Sequence, residues 1–130
     1  METSLIQPID PATLPDATGN YAHGTLVAGV RRAVFVSGQV PWAGQGAVPE
    51  DFDSQCRLTW HNVFAVLAEA DMGVRNLAKV TTYLSDRMYR EANSRIRQEI
   101  LGDHRPALTV VIAGIYSEEW LLEIEAIAVE

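Results

Sequence analysis

The stretch Leu121-Leu122-Glu123-Ile124-Glu125-Ala126-Ile127-Ala128-Val129 decides how this chain is read. As a strand of period two it places Leu121, Glu123, Glu125, Ile127 and Val129 on one face, and Leu122, Ile124, Ala126 and Ala128 on the other. Two carboxylates then stand on a largely apolar face. A carboxylate in such a setting is a candidate general acid or base. The competing reading is a pair of salt-bridged or rim-exposed acids, and spacing alone does not choose between them.

Working outward, residues 107 to 115 form the preceding strand, joined to the last by the polar turn Tyr116-Ser117-Glu118-Glu119. Before it, Asp86 caps a helix with an apolar stripe of Tyr89, Ala92, Ile96 and Ile100, ending near Gly102. Residues 77 to 84 are β-branched and read as a strand. A longer helix is expected from about residue 50 to 72, with Cys56, Trp60, Val63, Phe64 and Leu67 at helical spacing and Gly73 as its stop. Residues 43 to 49 are a loop. Residues 21 to 28 and 33 to 40 read as a hairpin, with Gly29 and Arg31-Arg32 between them. Residues 3 to 8 suit a short edge strand, and Pro8, Pro11, Pro15 and Gly19 keep the next stretch irregular. The expected order is β-β-β-α-β-α-β-β in an α/β (α+β) chain.

Ala33 to Val36 and Leu108 to Ala113 show almost no polar alternation, so their sheet must be covered on both faces. Two helices cover one face, and the chain offers no further helix for the other. Another subunit is the simplest cover.

The chain has 130 residues, 48% of them hydrophobic, which suits one domain spanning 1–130. Ten Lys and Arg against 17 Asp and Glu give a net charge of -7, which disfavours nucleic acid and anionic membranes as partners. Met1-Glu2-Thr3-Ser4 carries an acid where an export signal has a basic region, and no apolar run is long enough for a bilayer. A single Cys56 closes no intrachain disulfide. These features together point to the cytoplasm.

Three stretches read together are more specific: Gly19-Asn20-Tyr21-Ala22-His23-Gly24, Ser37-Gly38-Gln39-Val40-Pro41 and Glu123-Ile124-Glu125-Ala126-Ile127-Ala128. In this order they resemble the RidA/YjgF family of reactive-intermediate deaminases. Gln55, Asn62 and Asn93 also stand where that family usually has these residue types. The resemblance implies a chorismate-mutase-like fold, a mixed six-stranded sheet with two helices on one face, assembled as a homotrimer with ligand clefts between subunits. It implies that Glu123 positions a water that attacks an imine or enamine, releasing ammonia and a carbonyl compound. It implies a cleft lined by Tyr21, His23, Ser37, Gln39, Asn93 and Leu108.

The sequence departs from the family at two of these positions. Deaminating members hold the substrate carboxylate through an Arg in a Pro-Ala-Arg-Ser-like stretch, and here that stretch is Pro106-Ala107-Leu108-Thr109. The loss of that cation argues against a simple 2-imino acid as substrate. None of Arg105, Arg31 and Arg32 is counted as a substitute, since an odd offset on a strand reverses the face. His23 stands where many relatives carry Gln; an imidazole suits proton transfer, and equally a structural role.

Other signals are set aside. Gly44-Gln45-Gly46 has Pro49 where a dinucleotide fingerprint needs its third glycine, and Ser37 lacks a nucleophile elbow. His23, His61 and His104 have no partner at metal-ligand spacing, so no metal and no cofactor are expected. Cys56 falls on an apolar stripe, and Arg87, Arg90, Arg95 and Arg97, interleaved with Glu91 and Glu99, read as a solvated helix face. Some relatives are described as ribonucleases, which the acidic charge disfavours. Two readings remain: a homotrimeric imine or enamine hydrolase, and a non-catalytic trimer that binds a small metabolite in the same cleft.

Overall fold

The computed structural model describes residues 5–130. Six strands and two α-helices occur in the order β1 (Ile6–Ile9), β2 (Gly24–Val27), β3 (Ala33–Gln39), α1 (Phe52–Ala68), β4 (Leu77–Leu84), α2 (Arg90–Leu101), β5 (Ala107–Ile112) and β6 (Leu122–Val129). Short 3₁₀ turns precede β4 and α2. Of the edge strand expected over residues 3 to 8, Thr3 and Ser4 lie outside the described residues.

Hydrogen bonding divides the six strands into a four-stranded mixed sheet, β3-β6-β4-β5, and a two-stranded antiparallel pair, β1-β2. Among the described strands β4 and β5 are the pair that runs parallel, and α2 supplies the crossover that such a pair needs. The two sheets meet at Ala22, whose N–H donates to the Pro106 carbonyl beside β5.

The expected hairpin of residues 21 to 28 with 33 to 40 does not form. β2 pairs with β1 and β3 pairs with β6. The segment between them turns away, because the N–H groups of Arg31 and Arg32 both donate to the Glu130 carbonyl at the end of β6. The first helix also ends earlier than expected, at Ala68, and the chain reverses at Asp71, whose φ of 56° is left-handed. Gly73 instead opens the 3₁₀ turn before β4, its N–H donating to Asn76 Oδ1.

Asp51 caps α1 by accepting from the Ser54 N–H, and Asp86 accepts from the Met88 N–H at the turn that leads into α2. Both helices lie on one face of the larger sheet. Cys56, Trp60, Val63 and Leu67 of α1 and Ile96 of α2 pack there against Val80, Leu84, Leu122 and Ile124. Phe52 and Tyr89 stack with centroids 4.7 Å apart and join the two helices. The other face of the sheet is covered at one end, where Leu5, Ile6 and Val27 pack with Ala78, Ile127 and Val129; the rest is bare in this chain and carries Phe35, 74% exposed, with Lys79, Thr81, Tyr83, Glu123 and Glu125. No helix among the described residues is long and apolar enough to cross a membrane.

Burial pushes the Cys56 thiol up to about 12, so at pH 8 it stays a neutral thiol closed off in the core. A thiol-specific reagent is expected to label the native protein at under about one hundredth of its rate on the urea-unfolded chain. Comparable rates in the two states would contradict this core.

Candidate active site

The last strand bears out the face assignment made from its sequence. Leu122, Ile124, Ala126 and Ala128 are buried under the helices, while on the other face Glu123 and Glu125 are half-buried and Ile127 and Val129 pack with Leu5, Ile6 and Val27. Antiparallel pairing sets Glu123 opposite Tyr83 and Glu125 opposite Thr81 on β4.

The two carboxylates have different surroundings. Tyr83 Oη donates to Glu125 Oε1 at 2.6 Å. That bond, made to the neutral phenol, raises the Tyr83 pKa above its ordinary value, with burial and the negative charges of Glu125 and Glu123 acting in the same direction. Glu123 instead lies over Gly38. A β-carbon built on Gly38 would sit 2.0 Å from Glu123 Oε2 and 2.7 Å from its carboxyl carbon. Only a glycine leaves that space. The pairing of β3 with β6 shifts register between Val36 and Gln39, which sets Gly38 in an irregular stretch beside Glu123. No hydrogen bond to the Glu123 carboxylate is made by another side chain among the described residues, and a hollow of about 280 Å³ opens beside it, bounded by Tyr83, Ala113, Gly114 and Ile115. Glu125 is occupied; Glu123 is free to hold a water.

The remaining residues expected in one cleft are distributed over several places. Tyr21, Asn93 and Leu108 line a cleft of about 560 Å³ between α2 and β5. Leu108 pairs with Val80 and faces the helices, so in one chain it points away from the face that carries Glu123. Gln39 pairs with Ile124 and its amide donates to the Ser37 carbonyl, while Ser37 is exposed in the irregular stretch. His23 borders a different hollow: Asp10 accepts from its backbone N–H, and its Nε2 lies 2.6 Å from the Pro15 carbonyl. Its ring meets Tyr21 edge-on, centroids 6.5 Å apart.

The three arginines weighed as substitutes for a cation at Leu108 are all engaged. Arg105 pairs with Asp10 and donates from Nε to the Tyr21 carbonyl. The His23 N–H and then Arg105 hold the Asp10 carboxyl below the ordinary carboxylate value. Arg31 and Arg32 pair with Glu130.

Gln55 and Asn62 have structural tasks that their residue types explain. Gln55 Nε2 donates to the carbonyls of Pro49 and Glu119, and its Oε1 accepts from the Leu121 N–H. Asn62 Nδ2 donates to the carbonyls of Val40 and Trp42. A primary amide offers two N–H donors and a carbonyl acceptor on one neutral group, which is what Gln55 uses here.

Sequence reasoning misses three residues. The motif that contains Gly38 does not reveal that this glycine seats Glu123. Tyr83 reads only as part of a strand, although its period-two neighbours Thr81 and Lys79 signal that it shares the face of Glu125. Arg97 reads as part of a solvated helix face, yet it is 4% exposed. Its signal is its offset of four from Asn93, which puts both beside the Ile96 stripe.

With this geometry in view, the comparisons with known proteins are specific. The model of the family Endoribonuclease L-PSP matches residues 12–130. The chain belongs to the L-PSP family, also called the Rid family. Among its curated L-PSP relatives, the 2-iminobutanoate/2-iminopropanoate deaminase of Salmonella typhimurium is 30% identical over 119 residues, 88% of this chain and 91% of that one. The crystal structure of E. coli TdcF with bound serine is 30% identical, with a TM-score of 0.70 over 95% of this chain and 98% of that one. The Rid-family protein YyfB from Yersinia pestis, 22% identical, superimposes with a TM-score of 0.84 over 97% of this chain and 99% of that one, and shows the shared fold. Imine deamination is thus a named activity of this L-PSP family.

Proposed function

We propose that this chain is a hydrolytic deaminase of a reactive imine or enamine, acting as a cytoplasmic homotrimer without metal or cofactor. The observation that carries the reading is the Glu123 carboxylate, seated over Gly38 and left without a side-chain hydrogen bond among the described residues, while its neighbour Glu125 is held by Tyr83.

In the proposed reaction Glu123 accepts a proton from a bound water as the water oxygen attacks the C=N carbon. That proton passes to the nitrogen, and the carbinolamine collapses to a carbonyl compound and ammonia. Water is the only other reactant, and no electrons are transferred. An enamine enters the same route once its carbon is protonated to the imine. The bare sheet face with Phe35 supports packing against other copies. So does the placement of Glu123 and Leu108 on opposite faces, because a cleft holding both draws them from two chains. With Leu108 in place of the family's arginine, the substrate is anchored differently from a simple 2-imino acid.

Glu123→Gln keeps shape and removes the proton acceptor. It is expected to lower imine turnover by about 10² to 10⁴-fold with ligand binding retained. Full turnover in that variant would remove Glu123 from the mechanism. A second reading, a trimer that binds a small metabolite without turning it over, is favoured by one observation: Leu108 packs against the core as an ordinary apolar side chain. Binding by the wild type with no turnover of any imine would select it. The net charge of -7 weighs against action on RNA.

A further inference from the structure

Of the three tryptophans in the chain, Trp60 is 1% exposed in the core, and the other two face one hollow at the surface. Trp42 follows β3 and is 47% exposed; Trp120 precedes β6 and is half-buried. Neither indole meets another aromatic ring among the described residues. An indole left open to solvent forgoes the burial that its size would otherwise give. The hollow, of about 670 Å³, lies between the loop of residues 42–50 and the turn of residues 117–120, with Gln55 of α1 joining the two.

Both walls are fixed to α1 by side-chain amides. Gln55 Nε2 donates to the Pro49 carbonyl of one wall at 2.7 Å and to the Glu119 carbonyl of the other at 2.9 Å. Asn62 Nδ2 donates to the Trp42 carbonyl at 3.1 Å, and the Trp120 N–H closes its turn on the Ser117 carbonyl at 3.1 Å. The hollow is thus built by the fold, and a ligand entering it has little loop ordering to offset. Its charge is of one sign: Glu50 and Glu119 line it, no Lys, Arg or His does, and neither carboxylate has an ion-pair partner among the described residues. Indole faces are the negative side of the ring quadrupole, so indoles beside carboxylates attract a cation that has an apolar body. A metal ion fits less well, because it calls for several converging ligands and the described residues form no group of three or more His, Cys, Asp or Glu that could hold one.

We propose that this hollow is a binding site for a small organic ammonium ion, its head set against the Trp42 and Trp120 indoles and neutralised by Glu119 and Glu50. The inference goes beyond the proposed deaminase activity, because Glu123, Gly38 and Tyr83 do not line this hollow and Glu123 lies on the sheet face opposite the helices. It also gives the amides of Gln55 and Asn62 a purpose beyond the fold: they hold the two indole-bearing walls at a set separation.

The test is a titration of the full-length protein with choline and with butylammonium, against dimethylbutanol, the uncharged carbon analogue of choline, at constant ionic strength. Heat and tryptophan emission are followed together. At least one ammonium ion is expected to bind saturably, with a Kd of about 1 mM or below, and to change the emission; dimethylbutanol is expected to do neither. Tighter choline marks a site built on the indoles and tighter butylammonium one built on the carboxylates, and either supports the proposal. Trp42→Leu and Glu119→Gln, both at exposed positions, are each expected to weaken the tighter ligand about tenfold with little change in Tm. Glu123→Gln is expected to bind it as the wild type does, so loss of turnover in that variant leaves this inference standing. Three results would overturn it: neither ammonium ion binds; dimethylbutanol binds as tightly as choline; or Trp42→Leu and Glu119→Gln both bind unchanged. If neither ammonium ion binds and Trp42→Leu lowers the molecular mass in sedimentation, the hollow is a contact between copies of the chain instead.

Discussion

Gly38→Ala is expected to lower imine hydrolysis by about a hundredfold while leaving the melting temperature within a few degrees of the wild type. The added methyl would stand 2.0 Å from Glu123 Oε2, 2.7 Å from Cδ and 3.0 Å from Cγ. A flexible side chain yields more easily than a backbone, so the carboxylate moves and the sheet does not. Displacing a proton acceptor by about 1 Å costs on the order of 10²-fold in rate. Stability changes little, because the Glu123 carboxylate anchors nothing else among the described residues. The readouts are kcat/KM and a thermal melt on the same preparation. Unchanged kcat/KM would mean that the seat of Glu123 is irrelevant to chemistry, whereas a melting temperature lowered by about 10 °C would mean that Gly38 serves the fold.

The second large effect is on stability. Gln55 is 1% exposed and makes three hydrogen bonds, to the carbonyls of Pro49 and Glu119 and from the N–H of Leu121. These bonds hold the loop before α1 and the entry to β6 against the helix. Gln55→Leu fills the same space but leaves two carbonyls and one N–H without partners. At about 1 to 3 kcal/mol for each buried group left unsatisfied, the cost is about 3 to 6 kcal/mol after some re-solvation. For a domain of this size that lowers the melting temperature by about 10 °C or more. A drop of under about 2 °C would show that water replaces the amide at no cost.

Elements whose signal is local are legible in the sequence. β6 follows from period two, β4 from β-branching, and the second helix from its stripe and from Asp86. The face that carries Glu123 and Glu125 follows from alternation alone. Features that depend on pairing across the chain are not legible. β2 and β3 look like a hairpin because they are close in sequence and both β-rich, yet each finds a better partner elsewhere, and the Glu130 carbonyl captures the turn between them. The end of α1 is misplaced by the sequence pattern because an Asp takes the left-handed position expected of a glycine. Arg97 escapes for a related reason: a run of charges suggests a wet helix face, but burial follows the angle around the helix. Arg95 meets Asp53 at the surface, and Arg97, two residues on, lies under Gly19 and beside Tyr21.

The candidate site is legible as a set of residues and not as a place. Glu123 and Gly38 belong to two separate strings, and only the β3–β6 register brings them together. Tyr21, Asn93 and Leu108 share a cleft on the helix side, His23 tethers the loop that ends at Pro15, and Arg105 is committed to Asp10. The contacts of His23 with Pro15 and of Arg105 with Asp10 have no period or motif behind them.

The most direct test of the proposed activity is the decay of imines made in place by an amino-acid or amine oxidase and trapped with semicarbazide, in the presence of catalytic amounts of wild-type protein or Glu123→Gln. Both carboxylate-bearing and carboxylate-free imines belong in the series. The expected result is that the wild type accelerates loss of at least one imine and that Glu123→Gln does not. Decay at the uncatalysed rate for every imine in the series, with the wild type present, would contradict a hydrolase centred on Glu123.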